Sequence, residues 1–232
     1  MAEIQLAQYD FVGAEANLEQ SIKHTLSTDR NYLVRCWQLA LAHFYQGEHQ
    51  AAQHWIEQAV TCSNNANPFD LARAQLLKAS IELATGQPTQ AYLTLQATTP
   101  LDTDREGWNV AARILAIQSL MARNKLNQAS DKIVAMHSYL KSINTALLPA
   151  RIQVILSILK CWEDTGNQTD VTYKHCMAEL NALDRATDDL HWNPDGMEVL
   201  VFSHWFSDLA TKRPYTFRLP GGDIQQSVEQ GP

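Results

Sequence analysis

The chain has 232 residues, is 45% hydrophobic and 19% charged, and carries a formal net charge of −7 at pH 7. That composition fits one globular domain or one run of repeats and excludes a disordered chain. The negative balance argues against nucleic acid or an anionic membrane as the main partner. With only 9 Gly and 8 Pro there are too few turn residues for a β-sandwich or barrel.

Apolar spacing at i, i+3 and i+4 predicts helices over roughly 3–7, 10–26, 30–46, 49–63, 69–85, 88–97, 107–123, 126–143, 149–165, 169–187 and 195–212. Asn67–Pro68 reads as an N-cap followed by Pro at the first helical position. Thr103 with Glu106 reads as a capping box, and Pro149 opens the helix after it. Asn193–Pro194 is expected to open a final helix carrying Val199, Val201, Phe202, Trp205 and Phe206, apolar nearly all round and therefore covered. Its first expectation is helix A of a sixth repeat; a helix laid in a groove of the fold, or an exposed docking helix, are the others. The tail after Pro214 is expected to be loosely ordered.

No apolar run approaches a membrane span of ~18 residues. The N-terminus lacks the basic and apolar regions of a signal peptide, so a cytoplasmic, reducing location is expected. Cys36, Cys62, Cys161 and Cys176 form no CxxC pair and read as buried free thiols. His43, His49 and His54 are spaced six and five apart, whereas ligands on one helical face need three or four, so no metal site is expected. No phosphate-binding glycine motif and no GxSxG is present, and Gly221–Gly222 stands alone. Asp188 and Asp189 beside His191 read as a polar linker, and Glu163 with Asp164 as a solvated helix end. No catalytic or cofactor-binding residue is assigned.

Four segments resemble one another, each centred on an alanine: Ala14, Ala52, Ala91 and Ala129, with Val171 in a fifth. The intervals are 38, 39, 38 and 42 residues. Five residues before each stands a turn position: Tyr9, Gly47, Gly86, Asn124 and Gly166. Gly and Asn tolerate the positive φ that ends a helix. Four and seven residues after each come Leu18 and Ser21, Ile56 and Ala59, Leu95 and Thr98, Ile133 and Met136, His175 and Ala178. Those steps place three positions on one helical face. Helix pairs repeating at this period bury their apolar faces only against neighbouring pairs.

Leu39, Ala40, Gly47, Ala52, Ile56 and Ala59, followed by Ala79, Gly86, Ala91 and Leu95, resemble the tetratricopeptide repeat. Asn124 and Val171 depart from its pattern, and the period exceeds the usual 34 residues. The longer period looks more like divergent repeats of large assemblies and of MalT-type regulators. The resemblance implies an all-α, right-handed superhelical solenoid of about five helix pairs over residues 1–190. Residues 191–213 would form an apolar terminal helix and 214–232 the tail. Residues 1–7 are too short for a full helix A, which leaves a short product or, by preference, a piece of a longer protein.

In that family the concave face is lined by helix A at fixed offsets before the turn. Carried over, those offsets give Trp37, Leu41, Phe44 and Tyr45, then Arg73, Leu76, Ser80 and Leu83; the other reading of Trp37, Phe44 and Tyr45 is that they pack between repeats. Ile114, Gln118 and Met121, then Gln153, Leu156 and Lys160, follow in the later repeats. Trp37 and Leu41 stand where chaperone-binding members hold a peptide carboxylate, so that clamp is absent. The resemblance implies a noncatalytic scaffold or adaptor that binds a protein or peptide along this face. The alternative is the ligand- or peptide-sensing region of a MalT-like regulator. A third possibility is an assembly subunit whose terminal helix completes a neighbour's repeat.

Overall fold

The computed structural model describes residues 1–27, 29–61, 67–98, 100, 101, 104, 107–185 and 187–221. Among them all regular structure is helical. The α-helices are α1 (Ala2–Ala7), α2 (Phe11–Ile22), α3 (Arg30–Tyr45), α4 (His49–Thr61), α5 (Pro68–Ala84) and α6 (Pro88–Ala97). They continue with α7 (Trp108–Ala122), α8 (Leu126–Leu140), α9 (Ala150–Asp164), α10 (Thr169–His175), α11 (Met177–Arg185) and α12 (Phe202–Ala210). No helix is long and apolar enough to cross a membrane among the described residues. The chain divides into two units, one of residues 1–148 with 193–200, the other of 149–192 with the residues from 201 onward.

In the first unit each helix from α1 to α8 packs on its chain neighbours, and α3, α5 and α7 also touch one another in that order. Asp10, Asp29 and Asn67 cap α2, α3 and α5 by accepting backbone N–H groups. The capping box at Thr103 and Glu106 lies outside the described residues, as does Cys62. The Asp104 carboxylate accepts the first N–H of α7 from Trp108.

The turn positions have one geometry. Tyr9, Gly47, Gly86, Asn124 and Gly166 have φ of 62°, 78°, 76°, 55° and 69°. At each, the following N–H reaches back to the carbonyl five residues earlier, at 2.8–2.9 Å. This Schellman closure satisfies the last carbonyls of α1, α3, α5, α7 and α9. A sixth copy ends α12, with Lys212 at φ 56°. A Cβ built on Gly86 would meet nothing within 4 Å. Gly86→Ala therefore isolates the backbone term, and a loss of about 1–2 kcal/mol is expected, read from urea midpoints.

The alanines after these turns, Ala14, Ala52, Ala91 and Ala129, are fully buried. Their small size lets α2, α4, α6 and α8 approach the helices beside them. In the fifth segment the buried residue is Thr172 rather than Val171. Asn167 adds a second positive-φ residue after Gly166, at 64°, and shifts the register by one.

Glu82 of α5 is buried against α6, accepts the Thr94 hydroxyl at 2.8 Å and lies 3.9 Å from the Lys78 ammonium. Burial pushes its carboxyl above the usual range, against these two opposing contacts. A raised folded-state pKa means the group's stability contribution is present at acid pH and lost as pH rises through that pKa. Glu82→Gln is expected to be at least as stable as the parent at neutral pH. That difference should vanish once both states are protonated, as followed by denaturation across pH.

The second unit is organised around α9, which packs on α10 and α11, while α12 packs on α10 and α11. Trp162 is fully buried and donates its Nε1–H to the Thr169 hydroxyl at 3.0 Å. Arg151 is buried and donates to the carbonyls of Leu183 and Leu190, at 2.5 and 3.0 Å, a cation placed at the C-terminal end of α11. His204 of α12 pairs with Asp184, which holds that carboxyl below its usual range. Burial, with the neighbouring Cys161, pushes the Cys176 thiol up to about 12, so it is no thiolate nucleophile at neutral pH.

Two helices differ from expectation. The stretch 169–187 is broken at Cys176 into α10 and α11. The stretch 195–212 is helical only from Phe202, because residues 193–200 use their carbonyls and side chains in contacts with the first unit. Beyond Pro214, where composition predicts loose order, Thr216 and Arg218 donate to the Asp208 carboxylate and the Gly221 N–H donates to the Asp184 carbonyl. Residues 222–232 lie outside the described residues.

Candidate binding surface

Helix α3 is apolar on several sides because it lies between α2, α4 and α5. Its Trp37, Leu41, Phe44 and Tyr45 are all buried. Arg73 leaves α5 on the side of α3, and its guanidinium carbon sits 4.0 Å from the Trp37 ring centroid. Trp108 and Phe69 stand 5.0 and 5.9 Å from the same carbon, and they meet each other edge to face at 6.1 Å. Aromatic faces carry negative potential, so this arrangement favours a cation.

Residues 193–200 lie on this surface without helical structure. The Tyr45 hydroxyl faces the carbonyl oxygens of Pro194 and Val199, at 3.0 and 3.3 Å, with one proton to share between them. Arg73 donates to the Asp195 carboxylate at 2.9 Å, the two side chains being 22% and 35% exposed. Burial raises the Asp195 carboxyl above its usual range, with Arg73 opposing that rise. Val199 and Leu200 are buried.

The other sequence-predicted positions divide between the units. Ser80 is buried and spends its hydroxyl on the Leu76 carbonyl. Gln118 of α7 is buried, and its Nε2 has no acceptor among the described residues. The same holds for Trp37 Nε1 and Arg73 Nε. Buried donors of this kind carry a desolvation cost that an incoming acceptor would remove. Lys160 belongs to the second unit, is 46% exposed, and pairs with Glu163 and Asp164 at 3.0 and 2.8 Å. Those acids are thus partnered within one helix turn.

A cleft of about 390 Å³ opens between α5, α6 and α7. Trp108 lines it and also contacts Arg73, so the aromatic cluster and the cleft share one side chain.

One further group has ligand-like geometry. Nδ1 of His43 and carboxylate oxygens of Glu15 and Glu48 all lie within 4.8 Å of one another, a nitrogen and two oxygens that would suit a divalent cation. His43 is bonded to Glu48 at 2.7 Å, and Gln46 donates to Glu15 at 2.6 Å, so the polar atoms also satisfy each other. This group takes His43 but neither His49 nor His54.

Sequence reasoning missed Asp195 as a partner of Arg73. The signal was present: Asn193–Pro194–Asp195–Gly196 is a turn sequence, and the Asn193 side chain accepts the Asp195 N–H at 3.0 Å. The cleft has no local signature, because its walls come from residues far apart in the chain. Comparison with protein-family models, with curated proteins and with solved structures gives no match.

Proposed function

We propose that the chain is a noncatalytic scaffold, a solenoid of helix pairs resembling tetratricopeptide repeats, which binds a non-helical segment of a partner protein across α3, α5 and α7. The observation that carries this reading is residues 193–200. They are a non-helical segment, turned at Pro194–Asp195, lying on Tyr45 and Arg73, two of the positions that the resemblance assigns to a ligand. Three unpaired buried donors, on Trp37, Arg73 and Gln118, add capacity for carbonyl acceptors. A partner of this kind presents an acidic residue followed, four and five positions later, by an apolar pair, as Asp195 precedes Val199 and Leu200.

The test uses the full chain and a fluorescent peptide with the sequence of residues 193–200. Parent protein, with its own segment in place, is expected to bind the peptide weakly. An Asp195→Ala/Val199→Ala variant is expected to bind at least about tenfold more tightly, since the competing segment is loosened. Adding Arg73→Ala should remove that gain. No binding to the loosened variant, with its helical content intact, would sink the reading.

A second reading, the ligand-sensing region of a MalT-like regulator, is supported by the cleft between α5, α6 and α7.

A further inference from the structure

We propose that the cleft between α5, α6 and α7 is a binding site for a small organic anion with a flat apolar body, such as an aromatic carboxylate. On α7, Ala112 and Ala116 line it one turn apart, and Leu76 of α5 lines it as well. Small side chains there leave the cleft its volume of about 390 Å³, inside the range of small-molecule sites. Tyr92 of α6 and Trp108 of α7 add aromatic surface suited to a planar body.

The charge at this cleft is one-sided. Arg113 and Lys132 line it, and no carboxylate does among the described residues. Neither cation has an ion-pair partner among the described residues. The Arg113 guanidinium is stacked 4.0 Å from the Tyr139 ring centroid, which fixes it without neutralising it. Tyr139 and Lys132 are seven residues apart on α8 and so share a face, which brings the second cation to the same side. Two of the other polar groups nearby are committed. Asn109 bonds the backbone of Leu101 through both its amide nitrogen and oxygen, and the Asp104 carboxylate accepts the Trp108 N–H. In a chain of net charge −7, two cations without an ion-pair partner among the described residues, beside apolar walls, make a local anion trap. The apolar walls favour an organic anion over a hydrated inorganic one.

Calorimetric titration of the full chain tests this with 2-naphthoate, 1-naphthyl phosphate and the neutral 2-naphthamide. At least one anion should saturate a single site, with the amide at least about tenfold weaker. Arg113→Ala/Lys132→Ala should weaken that anion by at least about tenfold. Both residues are exposed, so the fold is retained and circular dichroism can verify it. Ala116→Leu, which fills the cleft, should abolish binding. If that variant does not fold, the charge variant decides alone. Absence of saturable binding by both anions overturns the proposal, as does equal binding of acid and amide, or parent-like affinity in the charge variant. These variants leave Tyr45 and Arg73 untouched, so the outcome is separate from that of the peptide experiment.

Discussion

Arg73→Ala is expected to destabilise the protein by about 2–5 kcal/mol and to release residues 193–200 before the helices melt. Two contributions add. A charge-assisted hydrogen bond of this type contributes about 1.5–3 kcal/mol, and here it joins Arg73 to the partly buried Asp195. A cation over an aromatic face contributes about 0.5–2 kcal/mol, and Trp37 lies at 4.0 Å with Trp108 at 5.0 Å. The loss should depend on pH. Asp195 already has a raised pKa in the folded state from burial, and Arg73 holds that rise in check. Removing the guanidinium raises it further. A group with a raised folded pKa stabilises at acid pH and loses that contribution as pH rises through the folded value. The penalty of Arg73→Ala is therefore smallest at acid pH, where Asp195 is protonated in both states, and grows toward neutrality. Hydrogen exchange at residues 193–200, beside urea denaturation at several pH values, reads both effects. A variant that keeps parent protection in this segment would show that Tyr45 and apolar burial hold it without the ion pair.

Trp162→Ala is expected to cost about 3–5 kcal/mol, the range for deleting a fully buried large aromatic side chain. Trp162 is the residue whose carbonyl accepts the Asn167 N–H in the closure of α9, and whose indole N–H bonds Thr169 at the start of α10. Its loss opens a cavity and unpins the α9–α10 turn together. Trp162→Phe keeps much of the volume and loses the hydrogen bond, so a smaller loss, in the region of 1–2 kcal/mol, is expected. Denaturant midpoints with constant m-values would check both. An alanine variant within about 1 kcal/mol of the parent would mean that the surrounding helices relax into the space.

Much of the helical skeleton was legible because its signals are local. A residue that must adopt positive φ is marked by Gly or Asn at Gly47, Gly86, Asn124 and Gly166, and a fully buried alanine follows the first three at fixed distance. Tyr9 takes the same conformation with no such marking, and it was found only through the repeat. The register of the fifth segment was not legible, because Asn167 joins Gly166 in the left-handed region and no pattern announces two such residues in a row.

The candidate surface was legible in part. The offsets singled out Trp37, Tyr45 and Arg73, and these do meet one segment of chain or one another. They did not foretell that Leu41 is fully buried; Phe44, for which packing between repeats was the other reading, is fully buried too, since a helix between three others has little surface left to line a groove.

The sequence by itself determined the all-helical class and the closure of the A-type helices. Backbone sterics at a turn, and the room that one alanine leaves, are settled within a few residues. Only the tertiary structure decided the state of residues 193–200 and the existence of the cleft. A segment with helical apolar spacing stays out of a helix when distant Tyr45 and Arg73 take its carbonyls and its carboxylate. A cationic pocket arises when the packing of the successive helices α5 to α8 brings Arg113 and Lys132 to the same apolar wall. Both depend on long-range juxtaposition, which no window of local sequence encodes.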